Sequence, residues 1–181
     1  WEIRLDGPYG GSSKTILETQ HAILVGAGFG ISRFAPILQD ISIQLEKNLN
    51  SIPLKKIDLH WIIEDYSYFE WFTKLLHEIK DESGFFNYHI YFTDKNPDAF
   101  NEKLMYLSTN VKDKKTDVSI IDNLWEKSNF HLPNWNEKLS ESKDGNVNFK
   151  SKVFFSGPRK YLKPLKKSCK KLSIPIITKK F

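Results

Sequence analysis

Short apolar runs alternate along this chain with longer stretches whose apolar residues return at helical spacing. Ala22–Val25 is an unbroken apolar run, the pattern of a parallel strand covered on both faces. Gly26, Gly28 and Gly30 follow at alternate positions. Ile31, Phe34, Ile37 and Leu38 then keep helical spacing, which predicts a helix from Ile31 to about Lys47 with Ser32 near its start. Ile57–Ile63 predicts a second strand with Leu59, Trp61 and Ile63 on one face. Tyr66-Ser67 opens a predicted helix striped by Phe69, Phe72, Leu75, Leu76 and Ile79 and closed by Gly84. Tyr88–Phe92 predicts a third strand, ending at Thr93.

From Asp94 to about Lys115 the chain is polar, a predicted loop with a short helix near Ala99–Leu107. Val118–Ile121 reads as a short strand, Asn134–Ser142 as a short helix, and Lys152–Phe155 as a buried strand running into Ser156-Gly157-Pro158. A lysine-rich amphipathic helix is expected to about Leu172, then a last apolar run, Ile174–Ile177. Pro164 fits that helix if it starts near Tyr161 and otherwise kinks it. Strands alternating with helices predict an α/β fold: three layers, a mostly parallel sheet with helices on both faces, and right-handed crossovers. Trp1–Leu5 alternates and enters the turn-rich Asp6–Gly11, so residues 1–11 read as the end of something earlier and 12–181 as one domain. A chain opening on Trp1 rather than Met agrees with an excised domain.

Composition narrows the class. With 181 residues, 40% hydrophobic and 27% charged, the chain is long and apolar enough for one folded core, which excludes disorder. It contains neither an apolar run long enough to span a bilayer nor a signal-peptide pattern. A single Cys169 excludes an internal disulfide and a cysteine-based zinc site and suits a reducing compartment. The net charge of +5 suits an anionic ligand, although many of the cations fall in Lys163–Lys180. That run reads first as a solvated helix face and second as a surface for lipid headgroups. No basic surface interleaved with aromatics is evident, so nucleic acid is not expected. His21, His60, His77, His89 and His131 have no metal-ligand spacing and read as structural or exposed.

In a parallel sheet, ligands bind beyond the carboxyl ends of the strands. Here those ends are Gly26–Gly30, Glu64-Asp65, Thr93 and Ser156-Gly157-Pro158, which are expected to converge. A strand, a glycine turn and a helix start bring backbone N–H groups to one point that suits a phosphate. The competing reading is a tight turn that binds nothing, because G-x-G-x-G is not the dinucleotide fingerprint G-x-G-x-x-G. Neither a G-x-S-x-G elbow nor a Walker lysine motif is present. The site therefore reads as one that holds a ligand rather than one that breaks bonds itself.

Seven segments occur in the order of one known family. They are Asp6-Gly7-Pro8-Tyr9-Gly10, Gly26-Ala27-Gly28-Phe29-Gly30-Ile31-Ser32, Trp61 with Phe69-Glu70-Trp71-Phe72, His89–Thr93, Pro133-Asn134-Trp135, Phe155-Ser156-Gly157-Pro158 and the terminal Phe181. Together they resemble the C-terminal NADPH-binding lobe of the NADPH oxidases, within the ferredoxin–NADP reductase superfamily. The resemblance implies that residues 1–11 end a FAD-binding barrel and that 12–181 are an NAD(P)H-binding domain. It also implies a transmembrane haem domain earlier in the same polypeptide, cytosolic regulators, and a lobe on the cytosolic side of a membrane. NADPH would pass hydride to FAD, and electrons would cross haems to oxygen to make superoxide or peroxide. The barrel's flavin motif and the haem histidines are not among these residues, so this stretch alone would bind nucleotide without running the reaction. A ferric-chelate reductase would use the same lobe, and a degenerate lobe would serve as a docking or regulatory module.

By the same resemblance, Gly26–Gly30, Ile31 and Ser32 form the nucleotide turn. Thr93, Pro133, Gly157 and Pro158 line the site with Phe69, Glu70 and Trp71, where Trp71 is either core or part of the nicotinamide pocket. Ser156 stands where the family has a cysteine near the nicotinamide carbon that gives up hydride, and Phe181 matches an aromatic expected to stack on the flavin. Arg33 replaces the family proline at the helix start and is either a new cation for phosphate or an obstruction. Glu64-Asp65 replaces Arg-Asp, so an acid stands where the family arginine pairs with the adenosine 2′-phosphate. His131-Leu132-Pro133 replaces Gly-Arg-Pro, a second lost arginine. A carboxylate after the second strand accepts hydrogen bonds from an unphosphorylated ribose. Weak NADPH selectivity is therefore expected, with a lean toward NADH unless Arg33 or nearby lysines compensate.

Overall fold

The computed structural model describes residues 12–46, 53–64, 76, 84–93, 102, 127–144 and 149–178. In chain order these form α1 (Ser12–Leu17), β1 (His21–Ala27), a 3₁₀ helix (Gly28–Arg33), α2 (Ala35–Glu46), β2 (Lys56–Ile63) and β3 (Phe86–Phe92). They continue with β4 (Ser128–Asn129), α3 (Trp135–Asp144), β5 (Ser151–Ser156), α4 (Arg159–Leu172) and β6 (Ile176–Thr178). The strands make one six-stranded sheet in the order β4-β3-β2-β1-β5-β6, and every pairing is parallel. The expected α/β architecture with a parallel sheet is therefore the observed one.

The central strand is the one with the least polar sequence. All seven residues of β1 are buried, as a strand covered on both faces requires. Residue alternation then sorts the sheet into two faces. On one face Ala22, Leu24, Leu59, Trp61, Ile63 and Phe154 meet Ile16 of α1, Phe34, and Ile37, Leu38 and Ile41 of α2. On the other, Ile23, Val25, Ile62, Val153 and Phe155 meet Trp135 and Leu139 of α3 and Tyr161, Leu165 and Cys169 of α4. Helices lie on both faces, giving three layers.

The chain steps from β1 out to β4, then returns to the other side of β1 for β5 and β6. The direction of winding thus reverses between β1 and β5, and this reversal opens the crevice in which parallel sheets receive ligands.

Several boundaries differ from expectation. Ile31 does not begin the long helix: it lies inside the 3₁₀ helix, and α2 starts at Ala35. The reason is steric, since a β-carbon on Gly26 would lie 2.6 Å from Ile31 Cδ1, so the chain must fold back tightly over the end of β1. Ser32 sits within that turn and does not cap a helix start; the cap position is Ala27, without a side-chain hydrogen bond. β4 was not foreseen, because two residues carry no periodicity; it is marked by Asn129 Nδ2 donating to the Ile90 carbonyl at 3.3 Å. α4 starts at Arg159 rather than Tyr161, so Pro164 lies inside it, on the exposed side. The expected strands at Trp1–Leu5 and Val118–Ile121 lie outside the described residues, as does the helix after Tyr66 apart from Leu76, which is helical and buried.

Among the described residues His21 and His60 are buried, His89 is half-buried and His131 is exposed, whereas His77 lies outside them; His21 is paired in a way no spacing indicated. His21 Nε2 lies 2.8 Å from Asp58 Oδ2, and the Ser151 hydroxyl lies 2.8 Å from His21 Nδ1. Burial pushes the Asp58 carboxyl up, but the His21 hydrogen bond, with Lys56 3.8 Å away, holds it below its ordinary range. A carboxylate only accepts, so Nε2 carries the hydrogen and donates it to Asp58. His60 is stacked on His89 at 5.1 Å and bonded to the Tyr91 hydroxyl at 3.1 Å. Burial first, and His89 second, depress it to about 3, so it is neutral. Among the described residues no helix is long and apolar enough to cross a membrane, and no cluster could hold a metal ion.

Candidate functional site

The glycines are explained by what presses on them. A β-carbon on Gly30 would collide with the Ser156 carbonyl and with Gly157 Cα, so only glycine lets the turn lie against the end of β5. Gly28 has φ +53°, in the left-handed region where a side chain is strained. Gly157 faces Ala27 in the reverse sense, so the β1 and β5 ends are interlocked from both sides. The turn is therefore packed directly on Ser156-Gly157, and those two sequence-predicted segments are brought together.

Ser156 is the buried centre of this junction. It is 2% exposed, and its Oγ has no hydrogen-bond partner among the described residues. An unpaired buried hydroxyl costs about 1–3 kcal/mol, a cost that a ligand's polar group can remove. Around it, Phe29 is exposed, Ser32 and Arg33 are half-buried, and Ile31 is core. Pro158, the N-cap of α4, makes no side-chain cap hydrogen bond.

On the other side of β1, Thr93 ties the ends of β2 and β3 together. Its amide and its hydroxyl both donate to the Ile63 carbonyl, at 3.0 and 3.1 Å. The next residue on β2's side is Glu64, whose Oε2 lies 3.4 Å from where a β-carbon on Gly28 would sit. Its Oε1 accepts the Tyr161 hydroxyl at 2.7 Å and forms an ion pair with Lys160 Nζ. The Lys160 hydrogen bond foremost, and Tyr161's as well, hold the Glu64 carboxyl below its usual range although burial opposes them. Glu64 is thus a carboxylate at neutral pH.

Pro133 is buried beside Trp135, and Leu132 is exposed. Asp65, Phe69, Glu70, Trp71 and Phe181 lie outside the described residues. Lys160 and Tyr161 were missed at the level of sequence. The available signal was their place in the first turn of the helix after Ser156-Gly157-Pro158, at the carboxyl end of a strand beside β1. The lysine run further along the same helix obscured it.

Chemically, the junction offers glycine amides in a tight turn, the Ser156 hydroxyl without a partner among the described residues, and a carboxylate–ammonium pair. It contains no nucleophile–base pair among the described residues and suits a polar, phosphate-bearing ligand that is held rather than cleaved.

Residues 19–170 match the family described as "Ferric reductase NAD binding domain". The chain is 30% identical over 177 residues to NADPH oxidase 1 of Mus musculus, covering 94% of this chain and 29% of the relative. It is 30% identical over 205 residues to NADPH oxidase 5 of Homo sapiens, covering 98% and 26%. The chain thus spans less than a third of the length of either relative. Among solved structures it is similar to a ferredoxin–NADP+ reductase from Plasmodium falciparum with 2′P-AMP, at TM-score 0.45 and 14% identity, covering 96% of this chain and 57% of that one. The chain belongs to the ferric reductase NAD binding domain family.

Proposed function

We propose that this member of the family is the NAD(P)H-binding lobe of an NADPH oxidase-like flavoprotein. The observation that carries the reading is the junction of the glycine turn with Ser156-Gly157 at the point where the sheet's winding reverses. There Gly30 admits a backbone approach that any side chain would block, and the buried Ser156 hydroxyl has no hydrogen-bond partner among the described residues. Similarity to the oxidases along nearly the whole chain supports it.

On this reading the dinucleotide lies across the carboxyl ends of β1, β2 and β5. Its phosphates lie near the amides of Gly28–Gly30, and its adenosine end lies near Glu64. The Ser156 hydroxyl meets the nicotinamide end and orients it, with Gly157 and Pro158 shaping the wall. Phe29, Ser32, Arg33, Asp65, Phe69, Glu70, Trp71, Thr93 and Pro133 belong to the surroundings of the nucleotide, and Phe181 to those of the flavin. FAD and haem, held by the preceding barrel and a transmembrane domain of the same polypeptide, supply the chemistry that takes electrons to oxygen. These 181 residues bind, orient and release. Such a lobe works on the cytosolic side of a membrane and is open to cytosolic regulators.

A ferric-chelate reductase is the second reading, favoured by the family's own description. The acceptor is chosen by parts of the polypeptide other than the nucleotide junction, so both readings require the same site. The test is saturation-transfer NMR of the chain with NADPH and with NADH, at low and moderate salt, including Glu64→Arg. Binding of either dinucleotide to the parent, with NADPH tightened by Glu64→Arg, supports the lobe. Absence of binding to parent and variant overturns it in favour of a docking module.

A further inference from the structure

We propose that Lys160 is the cation that receives a phosphate of the bound nucleotide, and that Glu64 holds it in readiness over the glycine turn. The inference rests on the nucleotide-lobe reading and extends it to a residue on a different element. β2 and β5 flank β1, so a bond from Glu64 at the end of β2 to the first turn of α4, after β5, has to pass over the end of β1. The position of Glu64 Oε2 beside Gly28 puts the carboxylate on that crossing. Any dinucleotide occupying the crevice meets this bridge.

The two partners of Glu64 differ in how firmly they are placed. Tyr161 is buried, and its hydroxyl anchors the carboxylate. The Lys160 side chain is 63% exposed and lies 4.9 Å from the centroid of the Tyr161 ring. An ion pair in water is exchangeable, because its Coulomb gain is largely cancelled by solvation. A phosphate offers the ammonium more charge and more acceptor oxygens than a carboxylate does. Lys160 therefore passes from Glu64 to the phosphate when nucleotide enters, while Tyr161 keeps the freed carboxylate from swinging toward the anion. An acid beside the turn, which alone would repel phosphate, becomes the holder of the cation that binds it.

The phosphate is either the bridging pyrophosphate or a 2′-phosphate, and two ligands separate these. Affinities of NADH and NADPH are measured by NMR titration of the chain and its Lys160→Met, Glu64→Gln and Tyr161→Phe variants. Lys160→Met weakens binding about tenfold and flattens its salt dependence. If both ligands suffer equally the contact is the pyrophosphate; if NADPH alone suffers, it is the 2′-phosphate. Glu64→Gln, which retains an acceptor for Tyr161, tightens the same ligand several-fold. Tyr161→Phe weakens it, because the carboxylate is then loose. Parent binding that ignores both Lys160→Met and Glu64→Gln overturns this inference and leaves the nucleotide lobe standing. A parent that binds neither ligand overturns both.

Discussion

Gly30 lies against the carbonyl of Ser156 so closely that a β-carbon at position 30 would overlap it and crowd Gly157 Cα as well. The obstacle is backbone, which cannot rotate aside as the tip of a side chain can. Gly30→Ala is therefore expected to force the turn off the end of β5, costing about 1–3 kcal/mol of stability and most nucleotide binding. Gly28→Ala has room and suffers only from its backbone conformation, about 1–2 kcal/mol. Urea unfolding and a dinucleotide titration on both variants check the order.

Ser156→Ala removes a buried hydroxyl that has no hydrogen-bond partner among the described residues. Stability should stay level or rise by up to about 1 kcal/mol. Nicotinamide-end binding should weaken in the same variant. Opposite signs in the two measurements identify a group kept for ligand rather than for folding.

His60 governs the acid side of the stability profile. Its pKa is held at about 3 by burial and by His89, whereas in the unfolded chain it titrates near 6.5. Between those values the unfolded state binds a proton that the folded state refuses, so stability falls as pH falls, by about 1.4 kcal/mol per unit at most. His89 is shifted the same way. Asp58, depressed below 3.8, adds stability above that value and loses it only as pH drops through its own lower pKa. Unfolding at pH 7 and pH 5 should show the loss, and His60→Gln should reduce the slope.

Ser173 ends α4 in the left-handed conformation, with φ 56° and ψ 37°. Glycine adopts this without a β-carbon penalty, so Ser173→Gly should stabilise the chain by about 0.5–1 kcal/mol. Thermal unfolding reads the gain. It should leave nucleotide affinity unchanged, since the residue lies at the opposite end of α4 from Lys160.

Leu165 is fully buried on the face that α4 turns to the sheet. Truncation to alanine should cost about 2–5 kcal/mol. The neighbouring exposed Lys166 should tolerate alanine, which separates the lysine face from the core by chemical denaturation alone.

Much of the scaffold was legible because its signals are local. Ala22–Val25, Ile57–Ile63 and Lys152–Phe155 announce strands by apolar runs that need no partner to be recognised. The glycine turn was legible as a candidate site by its place after the first strand. Its 3₁₀ form was not, because it arises from contact with Ile31 and with the end of β5. β4 was invisible because its two residues gain strand geometry only by pairing with Ile90 and Tyr91.

The sequence by itself determined the alternation of strands and helices, the placing of glycines where backbone must approach backbone, and the serine and glutamate at the strand ends. These depend on residue type and on neighbours within a few positions. Only the tertiary structure decided that His21 meets Asp58 across 37 residues, and that Glu64 meets Lys160 and Tyr161 over the turn. Those contacts exist because strand order puts β2 and β5 on either side of β1. That order is set by which faces are buried together, a property of the whole sheet and of no single stretch of chain.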